Sequence, residues 1–104
     1  MNMSENNYTY MLRCGDGSLY TGWTNHIRKR LTDHQSGRGA KYTRSHQPVE
    51  LVYLEVYDTR EEAMHREAVI KKLSRMKKLA LIAEHPGWRT LMPPAETEQN
   101  GDGV

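Results

Sequence analysis

A single cysteine, Cys14, is all the chain carries, which excludes an internal disulfide and any zinc site built on several thiolates. No stretch approaches the roughly 18 consecutive apolar residues of a membrane helix. The opening residues, MNMSENN, lack the basic end and apolar run of a secretory signal. Triplets of the glycosylation type at Asn2 and Asn7 carry no meaning without export. The five histidines show no metal-ligand spacing, and the HExxH pattern of zinc hydrolases is absent. There is no internal repeat and no sign of a second domain, and 104 residues suit one domain with a small core. The expected setting is a reduced, cytoplasmic interior without a membrane partner.

Charge is present but uneven. The formal net charge is +2; all fifteen Lys and Arg lie at or before Arg89, whereas Glu96, Glu98 and Asp102 sit in the tail. Without those three acids, fifteen bases face ten acids. A surplus of that size suits a polyanionic partner, and equally suits many enzymes that have none.

Residues 8 to 13, YTYMLR, alternate and are rich in strand-favouring side chains; CGDGS is a turn cluster, and LYTGW reads as a second strand. This is a β-hairpin. With its turn centred on Asp16, Tyr10 faces Gly22 and Leu12 faces Tyr20, and all four share one side of the sheet. Thr24 or Asn25 can cap a helix to about Ser36, with Gly37 as its stop. At 100° per residue, Ile27, Arg30, Leu31 and His34 fall in one arc. Residues 37 to 48 read as a basic loop, and VELVYLEVY as a third strand. Thr59 and Glu62 have capping-box spacing for a second helix to about Leu73. Its apolar arc holds Ala63, Val69, Ile70 and Leu73, with Glu67 on the flank. A break near Ser74 leads to a third helix that ends before Pro86.

The order predicts an α+β fold: a small, mostly antiparallel three-stranded sheet, a hairpin plus a third strand, with about three packed helices. The expected division is a polar N-terminal segment over 1–7, a folded domain over 8–85, and a tail over 86–104 that is disordered at its end.

Polar groups that bury poorly recur on three of these elements: two phenols beside a glycine on the hairpin, Arg30 and His34 on the first helix, Glu67 on the second. Singly, each has an ordinary structural explanation, such as an arginine stem lying along apolar surface with its head in water or a glycine marking a bulge.

Their order and spacing resemble the GIY-YIG nuclease superfamily, especially its small single-domain bacterial members. YTY at 8–10 and YTG at 20–22 bracket the hairpin turn, Arg30 follows the glycine by eight residues and His34 by twelve, and Arg66-Glu67 lies in the second helix. The resemblance covers residues 8 to about 80. It implies that Tyr10 and Tyr20 are the tyrosines of the two tripeptides, Gly22 the second tripeptide's glycine, Arg30 the helix-one arginine, and Glu67 the metal-binding glutamate. His34 falls where members carry a histidine or tyrosine near the scissile phosphate. Tyr8 replaces the first tripeptide's glycine, Trp23 stands where some relatives have a lysine, and an asparagine found near the domain's end in certain relatives has no clear counterpart.

The implied activity is that of a metal-dependent endonuclease or phosphodiesterase, acting on nucleic acid, with structure-selective DNA cutting favoured over RNA. Magnesium or manganese typically binds through one or two carboxylates and keeps several waters, so Glu67 can suffice once substrate phosphate joins. Arg30, always charged and fork-shaped, suits phosphate clamping. The resemblance makes Tyr20 the general base, although a free phenol titrates near ~10 and needs Arg30 and a metal to favour phenolate. Tyr10 would orient the water or phosphate, and His34 would move a proton or hold phosphate. Gly22 would leave room beside Tyr10 for a backbone oxygen.

Arg38, Lys41, Tyr42 and Arg44 in the basic loop could grip the backbone, Tyr42 by stacking on an unpaired base; Lys71 and Lys72 belong to a second basic run. A solvated loop and a solvated helix surface are the plain alternatives. Two rival functions stand beside the nuclease: a weak or inactive nucleic-acid-binding module of the same fold, and an interaction protein using Trp88 and the proline-bearing tail.

Overall fold

The CGDGS turn folds as its composition dictates. In a computed structural model, which describes residues 6–94, the Cys14 N–H donates to the Ser18 carbonyl at 2.9 Å and Gly17 takes a φ of +86°. That left-handed conformation strains any residue with a Cβ. Asp16 Oδ1 accepts from both the backbone N–H and the hydroxyl of Ser18 at 3.0 and 2.6 Å, which fixes the reversal. The strands it joins, β1 (Asn7–Arg13) and β2 (Leu19–Thr24), pair Tyr10 with Gly22 and Leu12 with Tyr20, in the expected register.

A third strand, β3 (Glu50–Tyr57), pairs with the other edge of β1, giving an antiparallel sheet of order β2-β1-β3. The central β1 has six of its seven residues buried. Between Met11 and Leu12 the pairing slips: Met11 faces Tyr53 but Leu12 faces Leu51, so Val52 is an extra residue in a β-bulge. The slip keeps Leu51 and Leu54 on the Tyr10 side while Tyr53, Glu55 and Tyr57 take the opposite side.

Helices cover both faces. Helix α1 (Ile27–Gln35) lies on the Tyr10 side, with Ile27 and His34 buried and Arg30 and Leu31 half-buried. It begins after His26 instead of at Thr24 or Asn25: the Thr24 hydroxyl accepts from the His26 N–H at 3.0 Å, outside the helix. Gly37, at φ +82°, ends it as expected. The region expected to be a loop contains a short helix, α2 (Lys41–Arg44). Helix α3 (Arg60–Lys71) packs on the Thr9 side, where the Thr9 hydroxyl donates to the Ala63 carbonyl at 2.8 Å. Its Thr59–Glu62 capping box is formed in both directions, a feature that stabilises a helix by about 1 kcal/mol.

Helix α4 (Arg75–Glu84) is capped by Ser74 and has no fully buried residue, but Arg75 donates to the Gly17 carbonyl at 2.9 Å and ties the helix to the hairpin turn. The fold continues past residue 85 in a 3-10 helix (Pro86–Leu91) that seats Trp88 against β3. Trp88 is therefore a core residue, not an exposed contact for a partner, with Arg89 lying over its ring at 4.6 Å. The tail beyond Pro94, like the segment before Asn6, lies outside the described residues. Among the described residues no helix is long and apolar enough to cross a membrane.

Candidate active site

Hairpin register and helix phase together bring Tyr10, Tyr20, Arg30 and His34 to one side of the sheet. Tyr10 projects from β1 across Gly22, and its hydroxyl meets His34 Nε2 at 2.9 Å. A Cβ on Gly22 would lie 2.5 Å from the Tyr10 oxygen and 2.7 Å from Cζ. The space expected to admit a substrate oxygen is thus filled by the phenol itself. The glycine is needed because the Tyr10 side chain must cross its neighbouring strand to reach α1.

His34 is fully buried, and so is Tyr10, at 1% exposure. Both histidine nitrogens are used within the chain: Nδ1 lies 2.8 Å from the Thr43 hydroxyl on α2. This placement differs from the expectation of a histidine at the scissile phosphate, because no surface of the ring is left for a ligand. Burial, aided by the Arg30 charge and opposed by Asp33, drops its pKa from 6.5 to about 4. The ring is therefore neutral in the folded protein at ordinary pH.

The consequence for stability has a definite sign. Between pH 6.5 and about 4 the unfolded chain takes up a proton that folded His34 refuses, so stability is full above this window and falls as pH drops through it. NMR titration of the His34 ring signals is expected to show no transition near pH 6.5; a transition there would mean that the ring is not buried as described.

Burial likewise pushes the Tyr10 phenol up to about 12, against the lowering effect of the Arg30 guanidinium beside its oxygen and with smaller raising effects from Tyr20 and Glu67. Tyr10 is accordingly a neutral phenol, unsuited to act as a base. The same influences locate Arg30 and Glu67 around it. Arg30 is half-buried and has no carboxylate ion-pair partner among the described residues. Tyr20 is part-exposed, with its ring 5.3 Å from that of His34 and no hydrogen bond to its hydroxyl among the described residues.

Glu67 comes from the flank of α3 and is half-buried; its carboxylate meets Lys71, one turn on, at 3.1 Å. The neighbouring Arg66 points the other way and fixes the helix. Its Nε and second guanidinium nitrogen donate to the two oxygens of Glu55 at 2.8 and 3.1 Å. Tyr57, at 2.6 Å, and Tyr53 add hydroxyl donors to the same carboxylate. Burial would raise the Glu55 pKa, but these donors outweigh it and hold the group below the usual carboxylate range. A cavity of about 450 Å³ opens beside this cluster, between β3 and the 3-10 helix. Both Glu55 oxygens are thus taken by donors of the chain, whereas Glu67 has one lysine for a partner.

The basic residues are less uniform than the sequence suggests. Lys41, Arg44 and Lys72 are exposed. Arg38 leans on Asp33 at 4.0 Å, and the Lys71 ammonium is held by Glu67. Tyr42 does not offer a free ring to a base: it stacks on His46 at 4.0 Å, lies nearly parallel to Tyr20 at 6.2 Å, and donates its hydroxyl to Ser18 at 2.6 Å. Three contributors were missed in the sequence. Thr43 contacts His34, Gln47 donates at 2.7 Å to the carbonyls of both His34 and Thr43, and Gly39 sits where a Cβ would come within 2.3 Å of His34 Nδ1. A threonine and a glutamine in a basic stretch follow no pattern; the close glycine alone hinted at a backbone contact.

No cluster of three or more His, Cys, Asp or Glu that could cage a cation is found among the described residues. A single part-exposed carboxylate, here Glu67 held by Lys71, is a donor set that fits a hydrated magnesium-type ion completed by substrate phosphate.

Residues 6–80 match the family described as the GIY-YIG catalytic domain. The chain is 56% identical over 81 residues to a UPF0213 protein of Syntrophus aciditrophicus, covering 77% of this chain and 93% of that one. It is 52% identical over 80 residues to another of Staphylococcus saprophyticus, covering 77% and 98%. The solution NMR structure of a UPF0213 protein from Bacillus halodurans has 46% identity and a TM-score of 0.53, covering 79% of this chain and 87% of that one.

Proposed function

Since the chain belongs to the GIY-YIG catalytic domain family, a nuclease superfamily, we propose that it hydrolyses phosphodiester bonds of nucleic acid, structure-selective DNA foremost, with a divalent metal, in the cytoplasm. The observation that carries the reading is the half-buried Arg30 guanidinium, which has no carboxylate ion-pair partner among the described residues and lies close to Tyr10 and within electrostatic reach of His34. A half-buried guanidinium that no carboxylate neutralises is open to an incoming anion. A phosphate supplies that anion bidentately.

In this mechanism Arg30 clamps the scissile phosphate and stabilises the charge that grows on it during attack. Tyr20, whose hydroxyl has no hydrogen-bond partner among the described residues, acts as phenolate, its own proton having passed to solvent. It takes the proton of the attacking water as the new P–O bond forms; the departing oxygen leaves as the old P–O bond breaks and takes a proton from solvent. Tyr10 steadies Arg30 and stays protonated. His34 acts through Tyr10 and does not touch the phosphate. Glu67 would hold magnesium or manganese, which when bound supplies charge neutralisation at the phosphate and a more acidic water. The exposed Lys41, Arg44 and Lys72 contact neighbouring phosphates, and Lys71 and Arg38, paired with Glu67 and Asp33 in the free protein, would join them on exchanging those carboxylates for phosphate. Binding then weakens as salt rises.

The experiment is incubation of purified protein with supercoiled, single-stranded and branched DNA in magnesium or manganese. Cleavage is expected, and Glu67→Ala or Arg30→Ala is expected to abolish it; cutting that survives both substitutions would overturn the assignment. The Glu67–Lys71 pair favours one second reading, a binding module whose acid is permanently neutralised by its lysine. Salt-sensitive binding with no turnover in any metal would select it.

A further inference from the structure

Hydroxyl protons can be counted across the buried side of the site. Thr43 Oγ1 has one hydrogen and two acceptors in reach, the Ala40 carbonyl at 3.0 Å and His34 Nδ1 at 2.8 Å. The buried Tyr10 hydroxyl, whose hydrogen-bond partner among the described residues is His34 Nε2, needs that nitrogen as acceptor and so leaves the Thr43 hydrogen to Ala40. The 2.8 Å contact between that oxygen and His34 Nδ1 then requires the hydrogen to be on the histidine. A neutral imidazole carries one N–H, so with Nδ1 protonated Nε2 is an acceptor. Its partner at 2.9 Å is the Tyr10 hydroxyl, which must be the donor. The Arg30 guanidinium beside the Tyr10 oxygen has only hydrogens to offer, which agrees with an oxygen that gives its own proton elsewhere.

We propose that Thr43 is a positioning residue that sets the proton order of the site. By committing its hydroxyl proton to Ala40 it fixes His34 as the Nδ1–H tautomer. Tyr10 is thereby made a donor to His34, and only the lone pairs of the phenol are left for Arg30. The chain runs Ala40, Thr43, His34, Tyr10, Arg30. Reversed, with Thr43 donating to Nδ1, Nε2–H would point at the Tyr10 oxygen in competition with Arg30, and the phenol proton would lose its acceptor. Burial makes either loss costly. The device also couples α2 to the guanidinium: Gln47 holds the His34 and Thr43 carbonyls together, and glycine at 39 lets the backbone approach the ring. A nucleic acid pressing on the exposed Lys41 and Arg44 of α2 would bear directly on the orientation of Arg30.

The effect on cleavage rests on the function proposed above; the tautomer does not. Nitrogen NMR of the His34 ring in the intact protein is expected to show a protonated Nδ1 and an unprotonated Nε2 at neutral pH. The opposite tautomer in the unsubstituted protein would overturn the proposal, whatever any variant does. Thr43→Val is expected to lose the single tautomer and to lower kcat about 10²-fold, the cost of misplacing a reacting group by an ångström, with KM changed less than about twofold. Thr43→Ser, which keeps the hydroxyl, is expected to restore both. A Thr43→Val protein that folds with the tautomer unchanged sinks the idea, as does a Thr43→Ser protein lacking it. Absence of cleavage by the unsubstituted protein, with the Nδ1–H tautomer present, would defeat the nuclease reading and leave the proton order standing.

Discussion

Arg30→Lys is expected to lower cleavage by two to three orders of magnitude while changing unfolding free energy by no more than about 0.5 kcal/mol. The charge is retained, so any role based on charge alone would survive. What lysine lacks is the planar fork, which on the proposed reading has two demands on it: it lies near enough to Tyr10 to act on the phenol, and it must meet the phosphate. An ammonium on a flexible stem cannot hold both at fixed angles. Loss of one preorganised donor aimed at developing charge typically costs about 10² to 10³ in kcat. The stability cost is small because Arg30 is only half-buried and has no carboxylate partner to strand. Single-turnover cleavage beside urea denaturation measures the two quantities. Full activity in the lysine variant would reduce Arg30 to a general electrostatic contributor.

Gly22→Ala acts on the other side of the same contact. The added methyl would sit 2.5 Å from the Tyr10 oxygen and 2.7 Å from its ring carbon. Tyr10 is buried, so neither the ring nor strand β2 can move without disturbing the core. Overpacking of this kind costs about 1–3 kcal/mol. The shifted phenol would also leave His34 Nε2 without its donor in a dry setting. Cleavage is expected to fall together with stability, in contrast to Arg30→Lys. Urea unfolding gives the first effect, and the tyrosine hydroxyl and histidine ring signals give the second. An alanine variant of unchanged stability would mean that the phenol does not cross β2 there.

The hairpin, its register and the order of the elements were legible because each rests on local chemistry: CGDGS can do little but turn, and alternation then fixes what faces Gly22. The capping box at Thr59 was legible for the same reason. Helix α2 was not, since KYTR is too short to show a period and its contacts are tertiary. The placement of Trp88 was hidden because a bend after Pro86, and not any pattern, brings it to β3. At the site, hairpin register and helix phase put Tyr10, Gly22, Arg30 and His34 on one side of the sheet, where Tyr10 meets His34. Spacing did not reveal burial, which engages His34 and Tyr10 with each other and away from solvent. The distinction between Glu55 and Glu67 was equally invisible: only the folded chain shows four donors on one acid and a single lysine on the other.

Tyr10, Tyr20, Arg30, His34 and Thr43 all come from the hairpin and the segment just after it. Short loops join them at little cost in chain entropy, and contacts close in sequence form early in folding. Glu67 arrives from further along the chain and reaches the others only when α3 docks, guided by Arg66 onto Glu55. If the function proposed above holds, a half-folded chain would own the anion clamp before it owned the acid, able to grasp a nucleic acid but harmless to it.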